Sequence, residues 1–137
     1  MSTQRTRIER DPTQVRYIEC RDTVEEIRPT WRALEDLFPS LKGLKFLATF
    51  DPAAGWYRAC VVETPDSESL TSHLPSAVVP GGHYSRLRLQ GEAEALYDLL
   101  PAAFAQLEAI SDVDPDRPRI ELYRRHTEVH VLVPVLD

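Results

Sequence analysis

Glu121 and Tyr123 are the residues with the clearest chemistry to offer. They stand two apart in the alternating run Arg119-Ile120-Glu121-Leu122-Tyr123, which reads as a strand over 119–125. Successive strand side chains point to opposite faces. Ile120 and Leu122 are therefore expected against a helix layer, with Glu121 and Tyr123 on the other face. The same reasoning over 56–63 puts Ala59 and Val61 on the helix side and Trp56, Arg58 and Cys60 opposite. Tyr17 and Tyr84 take matching places in two other strands. A carboxylate at 121 ringed by Tyr17, Tyr84, Tyr123 and Trp56 would attract a flat cationic or polarised ligand through charge and cation–π contact. It would also suit proton transfer, because removing a carboxyl group from water favours its acid form. The plainer alternative is a solvent-facing strand with ordinary polar residues.

The elements that must position these side chains follow from periodicity. Residues 15–20 alternate as a strand, with Ile18 and Cys20 on one face and Tyr17 and Glu19 on the other. Thr23-Val24-Glu25-Glu26 has capping-box spacing and opens a helix whose apolar stripe is Ile27, Trp31, Leu34 and Phe38. Pro29 predicts a kink or a late start, and Pro39 and Gly43 an end. A hairpin is expected over 46–63 around the turn Asp51-Pro52-Ala53-Ala54-Gly55. The stretch 64–75 is polar and reads as loop. A strand over 77–90 holds Pro80-Gly81-Gly82, read as a bulge or bend. Gly91 and Glu92 open a long helix striped by Leu96, Leu99, Leu100, Ala103, Phe104, Leu107 and Ile110, with Pro101 inside it. A loop over 112–118, the strand over 119–125, a turn at 126–128 and a last strand over 129–135 complete the chain.

The order strand, helix, strand, strand occurs twice. Trp31-Arg32-Ala33-Leu34-Glu35 is echoed by Phe104-Ala105-Gln106-Leu107-Glu108, and Phe46 by Ile120. A lone βαββ unit cannot cover its helix and both sheet faces, so two copies are expected to pair. The predicted fold is α+β: two pseudo-symmetric βαββ repeats, an antiparallel sheet with two helices on one face and a ligand groove on the other.

The 137 residues amount to one domain, and a net charge of −6 repels a polyanion on average. Two cysteines, Cys20 and Cys60, form no ligand or disulfide pattern and point to a reducing compartment. The first dozen residues lack the apolar stretch of a signal peptide, and no run is long enough for a membrane span, so a cytoplasmic protein is expected. His126 and His130 are four apart, a metal spacing on a helix, but here they straddle a turn and a strand; no metal or cofactor is expected. His73 and His83 have no visible partner, and nucleotide-binding and serine-hydrolase motifs are absent.

Three segments resemble the GyrI-like small-molecule-binding domain, the effector-binding domain of AraC-type and MerR-type multidrug regulators. They are Val79-Pro80-Gly81-Gly82-His83-Tyr84-Ser85, then Gly91 ahead of the second long helix, then Pro118-Arg119-Ile120-Glu121-Leu122-Tyr123. The resemblance covers 13–136, leaving 1–12 as an expected flexible tail. It implies a ligand groove between two βαββ halves with Glu121 as its central carboxylate and Tyr84 and Tyr123 as the motif tyrosines. The implied function is stand-alone binding of flat apolar or cationic molecules, drug-like or xenobiotic, by Glu121, Tyr123, Tyr84, Trp56, Tyr17 and Arg58. Two alternatives follow from the same family. One is a hydrolase of cyclopropane-bearing electrophiles with Glu121 and Tyr123 as its catalytic pair. The other is an inhibitory partner of a protein such as gyrase. Unlike the regulators, the chain shows no helix-turn-helix segment, so direct contact with nucleic acid is not expected.

Overall fold

The computed structural model describes residues 5–136. Two compact units divide the chain: Thr13–Val79, and the N-terminal segment to Pro12 together with everything from Pro80 onward. The first unit holds β2 (Thr13–Arg21), α1 (Val24–Glu35), β3 (Phe46–Asp51), β4 (Trp56–Val62), α2 (Pro65–Thr71) and β5 (Ser76–Val79). The second holds β1 (Thr6–Arg10), β6 (Gly82–Gln90), α3 (Ala93–Ile110), β7 (Arg119–Arg125) and β8 (Glu128–Pro134). Strand order is β3-β4-β2-β5 in the first and β7-β8-β6-β1 in the second, and the pairs within each are antiparallel. The architecture is thus α+β, with β2-α1-β3-β4 and β6-α3-β7-β8 as the duplicated βαββ. Each copy gains one extra strand beside its first.

In the first unit Leu34 and Phe38 pack on Ala59 and Val61, with Ile18 and Phe46 at the margin. This is the helix side read from the alternation of 56–63. The Trp31 indole N–H donates to the Tyr57 hydroxyl at 2.8 Å, which satisfies the ring's one polar group as it packs. In the second unit α3 buries Leu96, Leu100, Phe104 and Leu107. No described helix is long and apolar enough to cross a membrane.

Several expectations are corrected. The supposed tail is ordered over Thr6–Arg10, where β1 pairs with β6; residues 1–4 lie outside the described residues. α1 starts at Val24, ahead of Pro29, and stops at Glu35, short of Phe38. The Thr23 side chain makes no cap, and the Glu26 carboxylate accepts from the Arg21 amide at 3.2 Å rather than from the Thr23 amide. The capping box forms at Thr64 and Ser67, and it turns the stretch read as loop into α2, with Pro65 supplying a preset first turn. Residues 77–90 are two strands rather than one bulged strand: β5 pairs with β2 and β6 with β1 and β8.

The two glycines at the Pro80-Gly81-Gly82 break are there for steric reasons. A Cβ on Gly81 would lie 2.8 Å from the Arg10 carbonyl oxygen. Gly82 has φ +118°, and a Cβ there would lie 2.5 Å from Arg117 Nη1. Arg117 ties this corner together. Its Nη1 donates to the Gly81 carbonyl at 3.0 Å, its Nη2 to those of His83 and Val135 at 3.1 and 2.8 Å, and its Nε to Asp114 at 2.9 Å.

Candidate functional site

β7 sits beside β8, with Glu121 opposite Val131 and Tyr123 opposite Val129. β6 continues the row, with Leu87 opposite Val131 and Leu89 opposite Val129. Residues directly opposite share a face, so Glu121 and Tyr123 stand with Leu87, Leu89, Val129 and Val131. Arg119 shares that face and its Nε donates to Glu108 of α3, while Ser85, on the same face, accepts from Ser111 just past the helix end at 3.0 Å. Glu121 and Tyr123 therefore lie on the face that α3 covers, and Ile120 and Leu122 on the opposite one. This reverses the expected facing. The reason is that both faces of β7 are shielded: Ile120 is 0% and Glu121 only 7% exposed, so polarity does not mark the solvent side.

Burying a carboxylate among valines and leucines is costly unless it is hydrogen-bonded. The Tyr123 hydroxyl donates to Glu121 Oε1 at 2.5 Å, one strand pleat away. The pair offers a shielded carboxyl group with a phenol at its edge, able to act as hydrogen-bond acceptor, as a proton donor–acceptor pair or, when ionised, as counter-charge.

Tyr84 lies on the face opposite Glu121, since it neighbours Ser85 in β6. It is 0% exposed; its hydroxyl donates to the Pro80 carbonyl at 2.5 Å and the Arg117 guanidinium carbon is 5.0 Å from its ring centroid. Burial raises its phenol pKa against the pull of Arg117. In this structure Tyr84 fastens the Pro-Gly-Gly corner and leaves no ring surface to a ligand.

Tyr17, Trp56 and Arg58 belong to the first unit and lie on the face opposite α1, as the alternation predicts. Their arrangement was not foreseen. The Arg58 guanidinium carbon lies 4.2 Å from the Tyr17 centroid and 4.5 Å from that of Trp56, and its Nε donates to Glu19 at 2.9 Å. The two rings already hold a cation. Cys60, next on this face, is buried, and burial pushes its thiol up to about 12. Because the thiolate is the reactive form, native protein treated with iodoacetamide at neutral pH is expected to keep Cys60 unmodified until denaturant is added. Mass spectrometry of the peptides reads this. Alkylation of Cys60 as fast as of the half-buried Cys20 would show that β4 opens.

A second polar network escaped the sequence reading. His130 Nε2 lies 2.6 Å from Glu128 Oε2, and Gln90 donates to Glu128 Oε1 at 3.1 Å. These hydrogen bonds hold the Glu128 carboxyl below its usual range, while burial lowers the His130 pKa despite Glu128. The signal was the strand itself: residues two apart share a face, so the partner of His130 is Glu128 and not His126. A shallow hollow of about 390 Å³ opens beside this network, lined by Gln90, Gly91, Glu92, Arg125, Thr127 and Glu128. None of the candidate residues lines it. Among the described residues, no three His, Cys, Asp or Glu side chains converge to hold a metal.

No protein-family model matches the chain, and no curated protein does. Solved structures do match. An integron cassette protein from Vibrio cholerae aligns with a TM-score of 0.76 at 15% identity, over 98% of this chain and 97% of that one. SAV2435, solved bound to tetraphenylphosphonium, aligns at 0.69 and 13% identity, over 98% and 94%. A hydrolase from Listeria innocua aligns at 0.58 and 12% identity, over 97% and 92%. At these identities the likeness establishes the fold.

Proposed function

We propose that this chain is a GyrI-like binding protein for flat apolar or cationic small molecules of drug-like or xenobiotic type, with Glu121 as counter-charge. The observation that carries this reading is a carboxyl group only 7% exposed, hydrogen-bonded by Tyr123 at 2.5 Å and flanked across the sheet by Val131 and Leu87. A charge kept from water attracts a cation far more strongly than one in bulk solvent. The fold shared with SAV2435, whose bound tetraphenylphosphonium is a tetrahedral apolar cation, supports the apolar, cationic part of that class. Tyr123 orients the carboxylate, and Tyr84 maintains the corner that sets β6.

Calorimetric titration of tetraphenylphosphonium and of neutral triphenylphosphine oxide into wild type and Glu121→Gln tests this. The variant keeps the shape and loses the charge. Affinity for the cation is expected to fall about tenfold, or ~1.4 kcal/mol, with the neutral compound unaffected. Equal cation binding by both proteins removes Glu121 from the site, and no saturable binding of either compound ends the reading. A second reading rests on the closeness of the Tyr123 hydroxyl to Glu121 and on the fold shared with the Listeria innocua hydrolase. In it the pair protonates a strained ring as water opens it. Ring-opened product from a cyclopropane-bearing electrophile, formed by wild type and lost in Glu121→Gln, distinguishes it from binding alone.

A further inference from the structure

We infer that Arg58 forms a second binding site, in the first unit, for the carboxylate of a planar organic acid. A guanidinium carries five N–H donors in a fixed plane. Here Nε is taken by Glu19 at 2.9 Å, while neither Nη1 nor Nη2 has a hydrogen-bond acceptor or ion-pair partner among the described residues. The outer edge of the group is thus uncommitted within the protein, and 28% of the Arg58 side chain reaches solvent.

That open edge is held in place. Contacts to the Tyr17 and Trp56 rings at 4.2 and 4.5 Å consume no N–H, yet they fix the plane, and Glu19 fixes its rotation. The side-chain entropy usually lost when arginine binds has already been spent on the fold. Two parallel N–H groups match the two oxygens of a carboxylate, which makes the contact bidentate and directional. Glu19 offsets the charge of Arg58, so recognition depends on hydrogen-bond geometry rather than on net field. Tyr17 and Trp56 are only partly buried, and the ring surface that Arg58 does not cover is apolar ground for an aromatic body. A small planar acid fits this better than an inorganic anion or a cation, for which Arg58 already occupies the aromatic face.

The site is independent of Glu121 in residues, unit and ligand charge, so either assignment can fail alone. Benzoate is the probe, benzamide its uncharged counterpart, and NMR shifts of the Trp56 indole and Tyr17 ring the readout. Wild type is expected to bind benzoate saturably, with those two rings shifting and benzamide at least about tenfold weaker. Arg58→Lys keeps the charge but not the fork and should also bind about tenfold more weakly; Arg58→Gln should abolish binding. Unchanged spectra elsewhere establish that both variants fold. The inference is overturned by benzamide binding as well as benzoate, by wild-type affinity in either variant, by shifts centred on other residues, or by no saturable binding.

Discussion

Arg117→Ala is expected to lower the unfolding free energy by about 3 kcal/mol, the larger end of what one polar deletion costs. The side chain is only 16% exposed and donates to three backbone carbonyls and to Asp114. Removing it leaves those acceptors in a corner that water reaches poorly. Those carbonyls belong to Gly81, His83 and Val135, so the loss loosens both the start of β6 and the end of β8. Gly82→Ala should destabilise through the same group, because its Cβ would press on Arg117 Nη1 and its φ of +118° strains any L side chain. In the double variant the two costs should fall short of their sum, since the clash disappears with the guanidinium. Urea titration of the four proteins measures the cycle. A change under about 0.5 kcal/mol for Arg117→Ala would mean the corner is held by something else. The pair also leaves a trace in acid. Arg117 holds the Asp114 carboxyl below its ordinary 3.8, so its contribution is complete above that value and fades as pH falls through the lowered one.

Leu34→Ala is the companion experiment in the first unit, with an expected loss of about 3 kcal/mol. Leu34 is 0% exposed and is the α1 residue most enclosed by Phe38, Ala59 and Val61. The cavity left behind cannot collapse easily, because Trp31 is anchored by its bond to Tyr57 and Phe46 stands edge-on to it at 6.1 Å. Amide exchange within Thr13–Val79 should accelerate. A loss under about 1 kcal/mol would indicate a helix that slides to fill the gap.

The repeat was legible because each βαββ copy carries a strong helix stripe and a recognisable hairpin. The turn at Asp51 needed only local chemistry: its carboxylate accepts from the amides of Ala53 and Ala54, and Gly55 takes the left-handed conformation. Capping was harder, because Thr23 and Thr64 offer the same hydroxyl, yet only at Thr64 does it accept from the amide three residues on. β1 was missed because an end strand of alternating exposed and half-buried residues has little apolar signature. The facing of β7 could not be read at all from period-two alternation, since Ile120 and Glu121 are both buried. Arg117 left no pattern because three of its partners are main-chain oxygens.

The strand Thr6–Arg10 belongs with β6, although the whole of Thr13–Val79 separates them in the chain. During translation the first unit can complete itself as it leaves the ribosome. Its N-terminal neighbour has no mate until the stretch beyond Pro80 emerges, and must wait as an unpaired edge. A bulky fusion ahead of Thr6 would therefore burden the stretch beyond Pro80 and spare the unit that directly follows it.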